Sequence, residues 1–121
     1  MKRILIVEDV EMNRDLLVQL LEDDYELLEA TDGQEGLEMA AREKPDLILL
    51  DISLPEMDGY EVAGRIRQTE DLKDIPIIAV TAHAMAGDQE KALAAGCTDY
   101  LSKPIDEEEL WAKVARYTAE G

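Results

Sequence analysis

The chain has 121 residues, enough for one compact domain with a real hydrophobic core. Hydrophobic residues make up 46% and charged residues 34%, which excludes a disordered chain, and the longest apolar runs, Ile4–Val7 and Leu47–Leu50, are far short of a membrane span. Twelve basic against 29 acidic residues leave a net charge of −17, which argues against direct nucleic-acid binding, because phosphate backbones are gripped by Lys and Arg clusters missing here.

Lys2–Val7 reads as a first strand, a nearly continuous Ile, Leu and Val run of the kind expected when both faces of a parallel strand are covered. Leu16, Leu17, Leu20 and Leu21 recur at helical spacing, so Glu11–Asp23 is expected to be a helix. Tyr25–Ala30 is a second strand, more alternating and therefore placed at a sheet edge. Asp32 followed by Glu35 forms a capping-box pattern that opens a second helix, and Pro45 follows its end. Asp46–Leu50 is the third strand and Asp58–Gln68 the third helix. Ile75–Val80 follows as a strand, then a helix from Ala84 to Ala95 with Gly96 as its C-terminal cap. Thr98–Ser102 is the fifth strand. Asp106 with Glu109 opens the last helix, where acids in the first turn suit the helix dipole; its core face is expected to carry Leu110, Trp111 and Val114.

Five βα units without a linker imply one α/β domain over residues 1–121: a doubly wound, five-stranded parallel sheet with right-handed crossovers. The expected strand order is 2-1-3-4-5, with a ligand crevice at the carboxyl ends of strands 1 and 3. Glu8 and Asp9 interrupt the first apolar stretch at once, so no secretory pattern opens the chain. The lone cysteine, Cys97, can make no internal disulfide and reads as a small packing residue. Both features lead us to expect a cytoplasmic protein with no membrane association.

Strand 1 ends in Glu8-Asp9, strand 3 in Asp51, strand 4 in Thr81 and strand 5 in Lys103. In the expected order strands 1, 3, 4 and 5 are neighbours, so these groups should converge on one rim. Two carboxylates about 4 Å apart repel by roughly 4 kcal/mol at an effective dielectric of 20. A hard divalent cation relieves that repulsion, and Mg²⁺ takes one or two carboxylates with water and phosphate oxygens. Asp51 would then serve as a carboxylate nucleophile, with the Lys103 charge and the Thr81 hydroxyl on the phosphoryl oxygens. Taken singly, each residue has a plainer reading: Asp51 as a turn residue, Thr81 as a helix cap, Lys103 as a solvated lysine.

Four blocks carry a resemblance that runs the whole length of the chain. They are Ile4-Leu5-Ile6-Val7-Glu8-Asp9, Leu50-Asp51-Ile52-Ser53-Leu54-Pro55-Glu56-Met57-Asp58-Gly59, Ala79-Val80-Thr81-Ala82 and Tyr100-Leu101-Ser102-Lys103-Pro104. In this order and spacing they resemble the receiver domain of bacterial two-component response regulators. The resemblance implies that Asp51 is phosphorylated from a phosphohistidine on a sensor histidine kinase or a histidine phosphotransfer protein. It implies that Glu8, Asp9 and Asp51, with the backbone carbonyl of Ser53, hold Mg²⁺, Asp9 directly and Glu8 through water. It further implies that Thr81 and Tyr100 couple the site to a remote protein-binding face, plain strand packing being the other reading of Tyr100. A cis Lys103-Pro104 peptide is also a family feature, whereas an isolated X-Pro bond defaults to trans.

His83 lies near the mouth of the site, where it either tunes loss of the phosphoryl group or is a solvated helix-start residue. Met85 is either a core residue or, with Ala84 and Ala86, part of a docking helix. Asn13-Arg14 and Thr81-Ala82-His83-Ala84-Met85 resemble receivers attached to hybrid kinases or working in phosphorelays. Glu8 stands where the family often has Asp. The chain ends soon after its fifth helix, so the signal is expected to leave by contact with a downstream protein, unless the domain is cut from a longer chain. The expected protein is a stand-alone phosphoacceptor and not a multiple-turnover enzyme. A phosphatase of the Asp-x-Asp kind would need an acid where Ser53 stands. A flavin-binding module shares the flavodoxin-like (βα)5 topology, but no Ser/Thr/Gly-rich phosphate loop follows strand 1.

Overall fold

Alternation along the strands decides how the layers form. In β1 (Arg3–Val7), Ile4 and Ile6 face one side of the sheet while Leu5 and Val7 face the other. In β3 (Leu47–Asp51), Leu47 and Leu49 join the first side, Ile48 and Leu50 the second. Helices α1 (Glu11–Leu21) and α5 (Glu107–Thr118) cover the first side with Leu17, Leu21, Leu110 and Val114. The second side is covered by residues of α2 (Gly33–Glu43), α3 (Gly59–Gln68) and α4 (Asp88–Ala95), among them Ala40, Val62, Ile66 and Ala92. With both faces covered, β1, β3 and β4 (Ile77–Thr81) are almost wholly buried, which explains their unbroken apolar sequences. The structure is a computed structural model that describes residues 1–82 and 87–119.

The sheet has five parallel strands in the order β2-β1-β3-β4-β5, as expected, with β2 (Glu26–Ala30) at one edge and β5 (Asp99–Ser102) at the other. The register pairs Val7 with both Ala30 and Leu50, Asp51 with Val80, and Thr81 with Ser102. Strands and helices begin or end within a few residues of their expected limits. The α1 helix stops at Leu21, with Glu22 as its cap. Only Asp88–Ala95 of the helix expected from Ala84 is a described helix, and 84–86 lie outside the described residues.

Local chemistry accounts for the helix ends. Asp32, Asp58 and Asp106 each accept a hydrogen bond from the backbone N–H three residues on, at 2.8, 2.9 and 3.1 Å. Glu35 reaches back to the N–H of Thr31 rather than to that of Asp32, so the capping box is offset by one residue. Gly96 caps α4 at φ +114°, a left-handed conformation that a side chain would oppose. Trp111 differs from expectation: it is 43% exposed, and its Nε1–H donates to the Leu20 carbonyl at 2.8 Å. The indole therefore ties α5 to the end of α1 rather than packing on the sheet. Of the helical leucines, Leu17 and Leu21 are buried and Leu16 is 43% exposed. No helix among the described residues is long and apolar enough to cross a membrane.

Candidate functional site

The parallel register delivers the site. Val7 opposite Leu50 puts Glu8 and Asp51 side by side at the carboxyl ends of adjacent strands. Glu8 extends the ladder toward β2, its N–H donating to the Ala30 carbonyl at 3.0 Å, and Lys103 extends it beyond β5, donating to the Thr81 carbonyl at 2.7 Å. The carboxylates of Glu8, Asp9 and Asp51 each place an oxygen within 4.8 Å of the others. Glu8 and Asp51 are buried at 2% and 3% exposure, whereas Asp9 is exposed. Lys103 closes the group, its Nζ 3.0 Å from Glu8 Oε1 and 3.5 Å from Asp51 Oδ2.

These positions set the protonation. Burial pushes the Glu8 carboxyl up to about 7, assisted by its hydrogen bond and repulsion with Asp51 and only partly opposed by Lys103. For Lys103, burial works against the charged form, but the hydrogen bond to Glu8 and the negative charges of Asp51 and Glu8 outweigh it and raise the ammonium above its ordinary value. The pocket thus concentrates two buried carboxylates, an exposed third and one cation. Such an all-oxygen, anionic donor set suits a hard divalent ion.

The remaining residues singled out in the sequence fall around this centre. Ser53 donates its backbone N–H to Asp51 Oδ1 at 2.9 Å, which fixes the rotation of that carboxylate. Thr81 is buried at the end of β4, opposite Ser102. Gly59, at the start of α3, lies so close to the acceptor strand that a Cβ there would stand 2.6 Å from the Asp51 carbonyl oxygen. Tyr100 is half-buried on the α2–α3–α4 side, and the centre of its ring lies 5.3 Å from the Lys113 ammonium. The Lys103-Pro104 peptide is cis, against the default for an isolated X-Pro bond. His83, Met85, Ala84 and Ala86 lie outside the described residues. Beside the acids, a hollow of about 150 Å³ opens between α1 and the segment after β5, bordered by Asn13, Leu16, Pro104 and Ile105.

Two groups went unassigned in the sequence. Lys113 donates to Asp99 Oδ1 at 3.0 Å and to the Tyr100 carbonyl at 2.6 Å, and the Tyr117 hydroxyl donates to Asp99 Oδ2 at 2.8 Å. The three-to-four residue recurrence of Lys113 and Tyr117 on α5 was the available signal. Arg14 was noted only as part of a motif, yet it bonds the backbone at Glu8.

The fold is a doubly wound α/β sheet, a class whose ligand crevice lies at the carboxyl ends of the strands flanking the switch point, and the acidic, lysine-bridged cluster stands there. A family model described as the response regulator receiver domain matches residues 4–115. The chain belongs to the response regulator receiver domain family, the signalling component of two-component systems. It is 47% identical over 105 residues to the polar-differentiation response regulator DivK of Brucella anthropi, covering 86% of this chain and 85% of that protein. It is also similar to the receiver domain of a sensor histidine kinase from Pseudomonas aeruginosa, solved with magnesium in its active-site cleft, at TM-score 0.90 and 38% identity over 98% of both chains. A further likeness is to a chain in the co-crystal structure of the Saccharomyces cerevisiae histidine phosphotransfer protein Ypd1 and the receiver domain of its downstream response regulator Ssk1. There the TM-score is 0.90 and the identity 31%, over 97% of this chain and 88% of that one.

Proposed function

We propose that residues 1–121 act as a single phosphoacceptor domain in which Asp51 takes a phosphoryl group from the phosphohistidine of a sensor histidine kinase or histidine phosphotransfer protein. The observation that carries this reading is the Lys103 ammonium bridging Glu8 and Asp51 inside a trio of carboxylates. One Asp51 oxygen attacks phosphorus as the P–N bond to the donor imidazole breaks; the imidazole keeps the bonding pair and takes up a proton, leaving an acyl phosphate. The Ser53 N–H on Oδ1 holds the carboxylate so that Oδ2, the oxygen nearer Lys103, is the one presented. Lys103 and the Thr81 hydroxyl are assigned to the incoming phosphoryl oxygens. Asp9, Asp51 and the Ser53 carbonyl are assigned to Mg²⁺ directly, with Glu8 acting through water. When bound, the ion supplies charge neutralisation that lets an anionic donor approach a rim of like charge.

Magnesium in the cleft of the Pseudomonas relative supports this metal, and the yeast co-crystal supports a histidine phosphotransfer partner. The new phosphoryl group adds roughly −1.5 to −2 charge. Thr81 moves toward it and Tyr100 turns into the space vacated, changing the face around β4, α4 and β5 that a downstream protein reads. Coupling of about 1–3 kcal/mol gives a graded change in partner affinity rather than an all-or-none one. The domain performs only its own phosphorylation and dephosphorylation, in the cytoplasm, without direct nucleic-acid or membrane contact.

Incubation with Mg²⁺ and a small phosphodonor should add one hydroxylamine-sensitive phosphate, seen by intact mass. Undiminished incorporation into Asp51→Asn would move the acceptor elsewhere. Turnover of many phosphate-ester molecules per protein would replace the switch with a phosphatase.

A further inference from the structure

Asp9 is the exposed member of the acidic trio, so packing does not fix it. The turn that carries it also lacks the usual brace, because Val10 stands at the N-cap of α1 and offers no side-chain cap. Arg14, in the first turns of α1, reaches back instead. Its Nη1 donates to the backbone carbonyl of Glu8 at 3.0 Å, and its Nε donates to Glu29 Oε1 on the neighbouring edge strand at 3.1 Å. The arginine side chain is 15% exposed and its bond to the Glu8 carbonyl is partly buried, whereas Glu29, 47% exposed, meets it at the surface. The Glu8 carbonyl belongs to the planar peptide that joins Glu8 to Asp9, so pinning its oxygen sets the direction in which the Asp9 Cα leaves the strand. A second bond, from the Val10 N–H to Glu8 Oε2 at 3.2 Å, holds the far side of the same turn.

We infer that Arg14, steadied by Glu29, is the positioning residue that sets the Glu8–Asp9 peptide and thereby aims the Asp9 carboxylate at a divalent cation. The inference rests on the reading of Glu8, Asp9 and Asp51 as the metal site and adds a residue that does not touch the ion. Charge and geometry make opposite demands here. A guanidinium acting only as a charge repels a dication, so its removal would tighten metal binding. A guanidinium acting through the Glu8 carbonyl helps the ion, so its removal weakens binding. The sign of the effect separates the two.

The experiment is calorimetric titration of metal-stripped protein with MgCl₂, together with urea unfolding in EDTA and in saturating Mg²⁺. Arg14→Met is expected to weaken Mg²⁺ binding by about 10–100-fold, the usual cost of losing a group that orients a ligand. Arg14→Lys should fall between Met and the native residue, because one ammonium nitrogen replaces two separately aimed donors. Glu29→Gln, which keeps the arginine and loosens its anchor, should weaken binding by a smaller factor; Arg14→Lys, which keeps the charge and so isolates geometry, serves where Arg14→Met does not fold. The extra stability conferred by Mg²⁺ should shrink in step with affinity. Equal or tighter Mg²⁺ binding in Arg14→Met and Glu29→Gln overturns the inference, as does a parallel loss of stability with and without the ion. Native protein that binds no Mg²⁺, or Asp9→Asn that binds it undiminished, removes the metal reading itself; native binding indifferent to Arg14 and Glu29 removes only the positioning role.

Discussion

Asp51→Asn in metal-free protein should raise stability at alkaline pH, because it relieves a repulsion that the native fold maintains. Burial, then the Asp51 side chain, lift the Glu8 carboxyl from 4.5 to about 7. At about 1.4 kcal/mol per unit the whole rise corresponds to about 3 kcal/mol, and burial takes the larger part. The share tied to Asp51 is therefore about 1–2 kcal/mol. The native state keeps the Glu8 proton up to about 7, while the unfolded chain gives it up near 4.5, so stability should fall as pH rises through that window. Asparagine carries no charge and its oxygen can still accept the Ser53 N–H now bonded to Asp51 at 2.9 Å. It forfeits the Lys103–Asp51 contact at 3.5 Å, but Lys103 keeps the shorter one to Glu8 at 3.0 Å. Urea unfolding in EDTA should thus show a gain of about 1–2 kcal/mol at pH 8 that fades by pH 5. With Mg²⁺ at about a hundred times its Kd the order reverses, since the native protein gains about 2.7 kcal/mol from the ion. A variant less stable than native at pH 8 in EDTA, or a gain of the same size at both pH values, would refute the reasoning.

Gly59→Ala should destabilise the fold by more than about 2 kcal/mol, because the new Cβ would meet the Asp51 carbonyl oxygen at 2.6 Å and Ile52 Cα at 2.7 Å, both backbone. Denaturant unfolding checks this, and a variant of native stability would show that α3 can slide away from β3. Arg67→Met should cost about 2–4 kcal/mol, since its guanidinium donates to the carbonyls of Gly96, Lys73 and Ile75 and to the Thr98 hydroxyl, joining α3 to the entries of β4 and β5. Arg67→Lys should recover only part, and full recovery in the same unfolding assay would show that charge, not the fork, matters. The Cys97 thiol, 5% exposed and pushed by burial up to about 11, should resist thiol reagents at pH 8 until the chain is unfolded. Rapid labelling of folded protein would contradict its place in the core.

What the sequence determined by itself is what local rules control. The apolar runs of β1, β3 and β4 declared strands buried on both faces, and Asp32, Asp58, Asp106 and Gly96 marked helix ends, because capping and periodicity depend on neighbours a few residues away. The placement of Glu8, Asp51, Thr81 and Lys103 at strand ends was also legible, as was the strand order, since a βα repeat leaves few ways to wind a sheet. Tertiary structure decided distances and partners. The register put Lys103 between Glu8 and Asp51, an ion pair across 95 positions of sequence that no local pattern announces. It aimed Arg14 at a backbone carbonyl, Lys113 at Asp99 and Tyr100, and Arg67 at three carbonyls, because a long side chain takes whichever acceptor the packed elements bring within reach. Trp111 shows the same limit from the other direction: helical periodicity assigned it to the core, but the end of α1 supplied a carbonyl for its N–H, and the ring stayed at the surface.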